Sequence, residues 1–97
     1  MTNNVLVIDP LWDFYCSGLR REFPGLAIHG VPAAAAAGEF LADVEIICAK
    51  AIPRIFDDAL LRRAARLRWI QGFTTGTDGV TRLQALRPEV LLTSMRG

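Results

Sequence analysis

The residues best suited to holding a small anion lie together in the run Gly72-Phe73-Thr74-Thr75-Gly76-Thr77-Asp78-Gly79. Glycine lets backbone N–H groups turn toward a ligand, and a helix opening near Gly79 would add the positive end of its dipole. A carboxylate or phosphate would be stabilised there. The plainer alternative is that Asp78 caps a helix while Gly72, Gly76 and Gly79 only permit the turn. Lys50 follows an apolar run and is expected to face the same end of the molecule, either adding a positive charge to that site or simply solvated.

The remaining chemistry-bearing residues are scattered. His29 has no carboxylate or nucleophile near it in the sequence and reads as a surface or turn residue. Cys48 lies in an apolar strand and Cys16 on a helix, where inert buried thiols are expected. The two cysteines stand far apart with no C-x-x-C, and no His, Cys and carboxylate run has metal-ligand spacing, so neither a disulfide scaffold nor a metal site is expected. Arg62, Arg63 and Arg66 form a stripe that reads as a solvated helix face rather than a phosphate-binding one.

These residues must be positioned by an alternation of short apolar runs and amphipathic stretches. Val5-Leu6-Val7-Ile8 is continuous, β-branched and apolar, which suits a strand of a parallel sheet buried on both faces. Asp9-Pro10 supplies an N-cap acceptor and a residue that suits the first helical position, so a helix is expected from there to Pro24-Gly25. Its apolar stripe is Leu11, Phe14, Tyr15, Leu19 and Phe23. Then follow a strand at Leu26-Ala27-Ile28, a helix at Ala33–Leu41 built on the alanine run, and a strand at Val44–Cys48. A helix from about Asp57 to Leu67, a strand at Trp69-Ile70-Gln71, a helix at Gly79–Leu86 and a strand at Val90–Thr93 complete the series. Asp57 and Asp58 begin the third helix, with Asp58 spaced to pair with Arg62.

Five strands alternating with four helices imply right-handed crossovers and an α/β fold with helices on both faces of a parallel sheet. The five-strand version is the flavodoxin-like doubly wound sheet, order 2-1-3-4-5, which binds ligands beyond the carboxyl ends of its strands. Chemistry is therefore expected just after Ile8, Cys48, Gln71 and Thr93. The third strand end, Cys48-Ala49-Lys50, lacks the acceptor carboxylate of a phospho-receiver, and the fifth, Thr93-Ser94-Met95, lacks its lysine. The first strand runs directly into Asp9-Pro10, not into a flavin phosphate loop.

Composition narrows the partners. The 97 residues are 52% hydrophobic and 22% charged, one folded domain's worth, and eleven Lys plus Arg against ten Asp plus Glu leave a net charge of +1. No global field exists to concentrate nucleic acid. The longest apolar stretch, Val31 to Ala37, is far below the roughly 20 residues that span a bilayer. Met1-Thr2-Asn3-Asn4 has no positive signal-peptide flank. A cytoplasmic protein that binds neither nucleic acid nor membrane is expected.

Three segments give the chain a family likeness: Asp43–Pro53 (D-V-E-I-I-C-A-K-A-I-P), the passage Ala64-Ala65-Arg66-Leu67-Arg68-Trp69-Ile70-Gln71, and the following T-T-G-T-D loop. On these, Val5 to Gly97 resembles the amino-terminal half of the substrate-binding domain of D-isomer-specific 2-hydroxyacid dehydrogenases, nearest to glyoxylate/hydroxypyruvate reductases. The resemblance implies an enzyme that interconverts a 2-oxo acid and a D-2-hydroxy acid with NADH or NADPH. It implies that backbone N–H groups at Thr75 and Gly76 hold the substrate carboxylate, and that Thr74, Lys50 and Ala51 also belong to the substrate site. Thr75 stands where the family commonly has valine.

The resemblance assigns no catalytic, cofactor-binding or metal-binding residue to this chain. The family's catalytic Arg, Glu and His lie outside the matched part, and the sequence holds no G-x-G-x-x-G after a strand. Residues 1–97 are thus expected to be the amino-terminal portion of a substrate-binding domain, without the coenzyme-binding Rossmann domain and inactive alone. Because a returning carboxyl-terminal helix completes the domain in that family, an apolar sheet face is expected to lie bare. Self-association or marginal stability, and a homo-oligomer, are the corresponding expectations. The rival reading is a stand-alone module of the same fold that binds a small anion or a protein.

Overall fold

The computed structural model describes residues 3–95. Its strands are β1 (Asn4–Ile8), β2 (Ala27–Val31), β3 (Ile46–Ala49), β4 (Trp69–Gly72) and β5 (Leu91–Thr93), and its helices α1 (Trp12–Glu22), α2 (Asp58–Arg63) and α3 (Asp78–Thr81). All strand pairs are parallel, in the order β2-β1-β3-β4-β5 expected of the doubly wound sheet. Strand alternation divides the interior in two. Leu6 and Ile8 of β1 join Ile47, Ile70, Phe56 and Leu61 in the larger core, whereas Val5 and Val7 meet Ile28, Cys48 and Cys16 on the opposite face. Within the described residues α1 is the one helix packed against that second face. Beside it lies a cleft of about 350 Å³ lined by Leu19, Phe23, Ile46, Cys48 and Trp69 among others.

The first helix begins at Trp12, two positions beyond the expected start. Asp9 is not its N-cap. Asp9 Oδ2 accepts the Leu11 N–H at 2.9 Å and its carbonyl accepts the Trp12 N–H at 2.9 Å, which makes a turn that feeds the helix. The stripe that packs on the sheet is the buried Cys16 with the half-buried Trp12, Tyr15 and Leu19, while Leu11 and Phe14 remain 60% and 74% exposed. Both stripes have helical spacing; the close approach of β2 selects this one. A Cβ on Gly30 would stand 2.5 Å from the Trp12 ring and 2.7 Å from Cys16 Sγ, so the strand backbone packs directly on that face.

The alanine run does not form the helix expected over 33–41. It folds as two single 3-10 turns, Ala34–Ala36 and Gly38–Phe40. So short a stretch gains too little from propensity to offset nucleation, and Gly38 interrupts it. Tertiary contacts decide the path. Ala37 and Leu41 are buried, and Arg63 donates to the Gly38 carbonyl at 3.3 Å.

The two later helices are also shorter than expected. Asp57 caps α2 by accepting the Leu60 N–H at 2.8 Å. The helix stops at Arg63 because Ala64 and Leu67 both enter the core by way of a turn, and Arg87 donates to their carbonyls at 3.5 and 2.6 Å. Asp58 does not pair with Arg62. Its carboxylate instead accepts the Ala85 N–H at 2.8 Å, holding residues 82–86 in turns where helix was expected after α3. The ion pairs among the described residues are Arg68–Glu45 and Arg87–Glu89, both at the surface.

No helix of the described residues is long and apolar enough to cross a membrane. Both cysteines are free and buried.

Candidate functional site

The loop that leaves β4 is tied at both ends. Phe73 N–H donates to the Ala49 carbonyl at 2.9 Å, extending the β3–β4 pairing by one residue. The Phe73 ring packs on Tyr15 with centroids 4.6 Å apart. Met95 N–H donates to the Thr74 carbonyl at 3.2 Å, linking the loop to the residues after β5. Thr74 Oγ1 donates to the Gly76 carbonyl at 3.1 Å, so this hydroxyl holds the loop's own turn.

That bond leaves the tip of the loop with donors to spare. Thr75 and Gly76 are exposed, and within the described residues neither N–H finds a protein acceptor. Two adjacent free amides at the carboxyl edge of a parallel sheet suit a small carboxylate. The expected helix dipole adds little, since α3 has only four residues. Asp78 is its first residue, and Thr77, at the cap position, makes no side-chain cap bond.

The three glycines of this loop have different tasks. None has a positive φ, so left-handed turn geometry is not the reason for them. A Cβ at Gly79 would lie 2.8 Å from the Ala51 carbonyl oxygen and 2.9 Å from Pro53 Cδ. One at Gly72 would lie 3.2 Å from the Thr93 carbonyl oxygen and 3.5 Å from Ala51 Cβ. Both ends of the arch therefore sit against Ala51. Gly76 at its tip has nothing within 4 Å.

The arch that carries Thr74, Thr75 and Gly76 is thereby seated at both ends on Ala51, in the loop after β3. Ala51 is buried and meets the arch with its carbonyl oxygen and its Cβ, while Lys50 is exposed. His29 stays outside the site: it lies within β2, opposite Leu6 in register, and stacks on Phe40 with centroids 4.9 Å apart. Cys48 is buried in β3, where loss of solvation pushes its thiol up to about 11, and burial likewise raises Cys16. Both thiols are poor nucleophiles at neutral pH. No group of three His, Cys or carboxylate side chains among the described residues is placed to hold a metal ion.

Comparison with known proteins gives neither a matching family model nor a matching curated sequence. Among solved structures, a D-isomer specific 2-hydroxyacid dehydrogenase family protein from Aeromonas salmonicida subsp. salmonicida A449 superposes over 100% of this chain with a TM-score of 0.83. The two share a fold. At 23% sequence identity the likeness is one of architecture, and the chain spans 30% of the length of that structure's chain. It bears out the five-stranded parallel arrangement expected from the sequence.

Two features of this end of the molecule are not evident from residue types alone. The tight seating of Gly72 and Gly79 on Ala51 is one, since glycine in a loop first suggests conformational freedom. The other is a groove beside Lys50 formed by the segments that follow β1, β2 and β3. Its sequence signal is positional: Asp9, Pro32–Ala35 and Arg54 follow the ends of β1, β2 and β3, and β1 and β3 flank the reversal in strand order.

Proposed function

We propose that this chain is the substrate-side part of an NAD(P)-dependent oxidoreductase that interconverts a 2-oxo acid and a D-2-hydroxy acid. The observation that carries the reading is the pair of unengaged amides at Thr75 and Gly76, set on an arch fixed to Ala51, in a fold shared with a 2-hydroxyacid dehydrogenase family protein. The N–H groups hold the substrate carboxylate, Thr74 keeps their turn closed, Lys50 adds positive charge, and Ala51 borders the bound acid. NADH or NADPH supplies the hydride. No residue of this chain is assigned to the cofactor or to proton transfer, so the chain by itself is inactive and works within a larger, homo-oligomeric enzyme.

Titration of the 15N-labelled chain with glyoxylate tests the site. The Thr75 and Gly76 amide resonances shift saturably, and Thr75→Pro, which removes one donor, weakens binding at least tenfold. Shifts that avoid residues 74–77 would refute the carboxylate anchor. NADH-dependent reduction of glyoxylate by the chain alone would refute its role as a non-catalytic part.

A further inference from the structure

Beyond the carboxyl ends of β1, β2 and β3 lies a groove of about 400 Å³ that the proposed reduction leaves unused. It flanks the reversal in strand order, where doubly wound sheets open a crevice, and its size is within the range of small-ligand pockets. Pro32 and the alanines after β2 form one wall, and Ile52 and Ile55 after β3 form another. Lys50 and Arg54 supply the cations.

The groove is also lined by Asp9, the one charged side chain buried among the described residues, at 4% exposure. Asp9 Oδ2 is engaged by the Leu11 N–H at 2.9 Å. Asp9 Oδ1 has no donor among the described residues, and no fully buried side-chain oxygen there lacks a partner. Oδ1 must therefore reach open space, and the groove is the space that Asp9 lines. A carboxylate oxygen with no protein donor, beside a largely apolar wall, favours a ligand that brings a donor, and an ammonium most of all.

We propose that this groove binds a free amino acid with an apolar side chain. The ammonium meets Asp9 Oδ1, the side chain lies against the alanine wall and Ile55, and the carboxylate turns to Lys50 and Arg54. The small alanines leave the room that larger residues would fill. None of Thr74, Thr75 and Gly76 lines this groove, and the proposed function calls only on its Lys50.

Four probes of similar size separate the possibilities in an amide-shift titration of the 97-residue chain: L-phenylalanine, phenethylamine, 3-phenyllactate and phenylpyruvate. L-Phenylalanine is expected to shift residues 9–11, 33–35 and 50–55, with phenethylamine and phenyllactate each at least tenfold weaker there. Asp9→Asn retains an acceptor for Leu11 but removes the charge, and Ala35→Phe fills the groove from an exposed position; each reduces L-phenylalanine affinity at least tenfold. Should Asp9→Asn fail to fold, Ala35→Phe and Arg54→Gln, both at exposed positions, decide the matter. Phenyllactate binding as tightly as L-phenylalanine, variants that bind like the parent, or shifts confined to residues 74–77 would each overturn the proposal. Phenylpyruvate shifting residues 74–77 while L-phenylalanine shifts nothing would leave the carboxylate anchor standing and remove the amino-acid site.

Discussion

Replacing Gly79 by alanine tests whether the arch is held by close packing. The new methyl would meet the Ala51 carbonyl oxygen at 2.8 Å, Pro53 Cδ at 2.9 Å and Ile52 Cα at 3.1 Å. These are backbone and ring atoms, not the far end of a flexible side chain, so relief requires the whole 51–53 segment to shift. Overpacking of this kind costs about 1–3 kcal/mol. Alanine returns at most about 1 kcal/mol of helix propensity, and less in a helix as short as α3. A net loss of roughly 1–2 kcal/mol lowers the melting temperature of a domain this size by roughly 5–15 °C. Gly76→Ala is the matched control. With nothing within 4 Å and no positive φ, it restricts the unfolded chain and stabilises by about 0.4–1 kcal/mol. Thermal melts followed by circular dichroism should move in opposite directions for the two variants. Gly79→Ala melting at or above the parent, or both variants shifting the same way, would refute a packed clamp on Ala51.

Other consequences can be checked alongside. Cys48 is raised from 9.0 to about 11 by burial, so the folded protein binds more protons than the unfolded chain between those values; its contribution is complete below pH 9 and lost as pH rises through 11. That contribution is about 3 kcal/mol, and stability of Cys48→Ala in urea should decline less steeply over this range than the parent's. Cys48 should also resist iodoacetamide at pH 8 until the chain is unfolded. Asp57→Ala removes the acceptor for the Leu60 N–H and should destabilise by about 1 kcal/mol in the same assay. Arg87→Met leaves the Leu67 carbonyl without its 2.6 Å donor and should cost about 1–3 kcal/mol, with amide exchange accelerated over residues 60–67.

The strands and their order were legible because they depend on a local signal, short β-branched apolar runs, and on a handedness rule that leaves few topologies. The helices were less so, since several of their limits are set by distant partners. Asp58 has the spacing to pair with Arg62, yet it accepts from Ala85, twenty-seven positions away, and residues 82–86 stay in turns as a result. Leu11, Phe14 and Phe23 have the same helical spacing as the residues that pack; only the proximity of Gly30 shows that Trp12 and Cys16 face the sheet. At the candidate site the sequence singled out the loop that carries Thr75 and Gly76 at its tip. It did not reveal that Gly72 and Gly79 seat the loop on Ala51, or that Asp9 keeps an oxygen open to a groove, because both depend on which loops meet at the carboxyl edge.

The strand order also sets a sequence of assembly. Of the five strands β1 is synthesised before the others yet occupies an interior position, between β2 and β3, and its later neighbour is not complete until Ala49. Until then β1 has one open hydrogen-bonding edge. From that point the sheet extends in one direction only, each new strand docking on the edge formed by the strand before it, β4 on β3 and then β5 on β4. Residues 4–49 should therefore be the earliest unit protected from amide exchange during folding, and β5, three residues at the growing edge, the first to open in the finished protein.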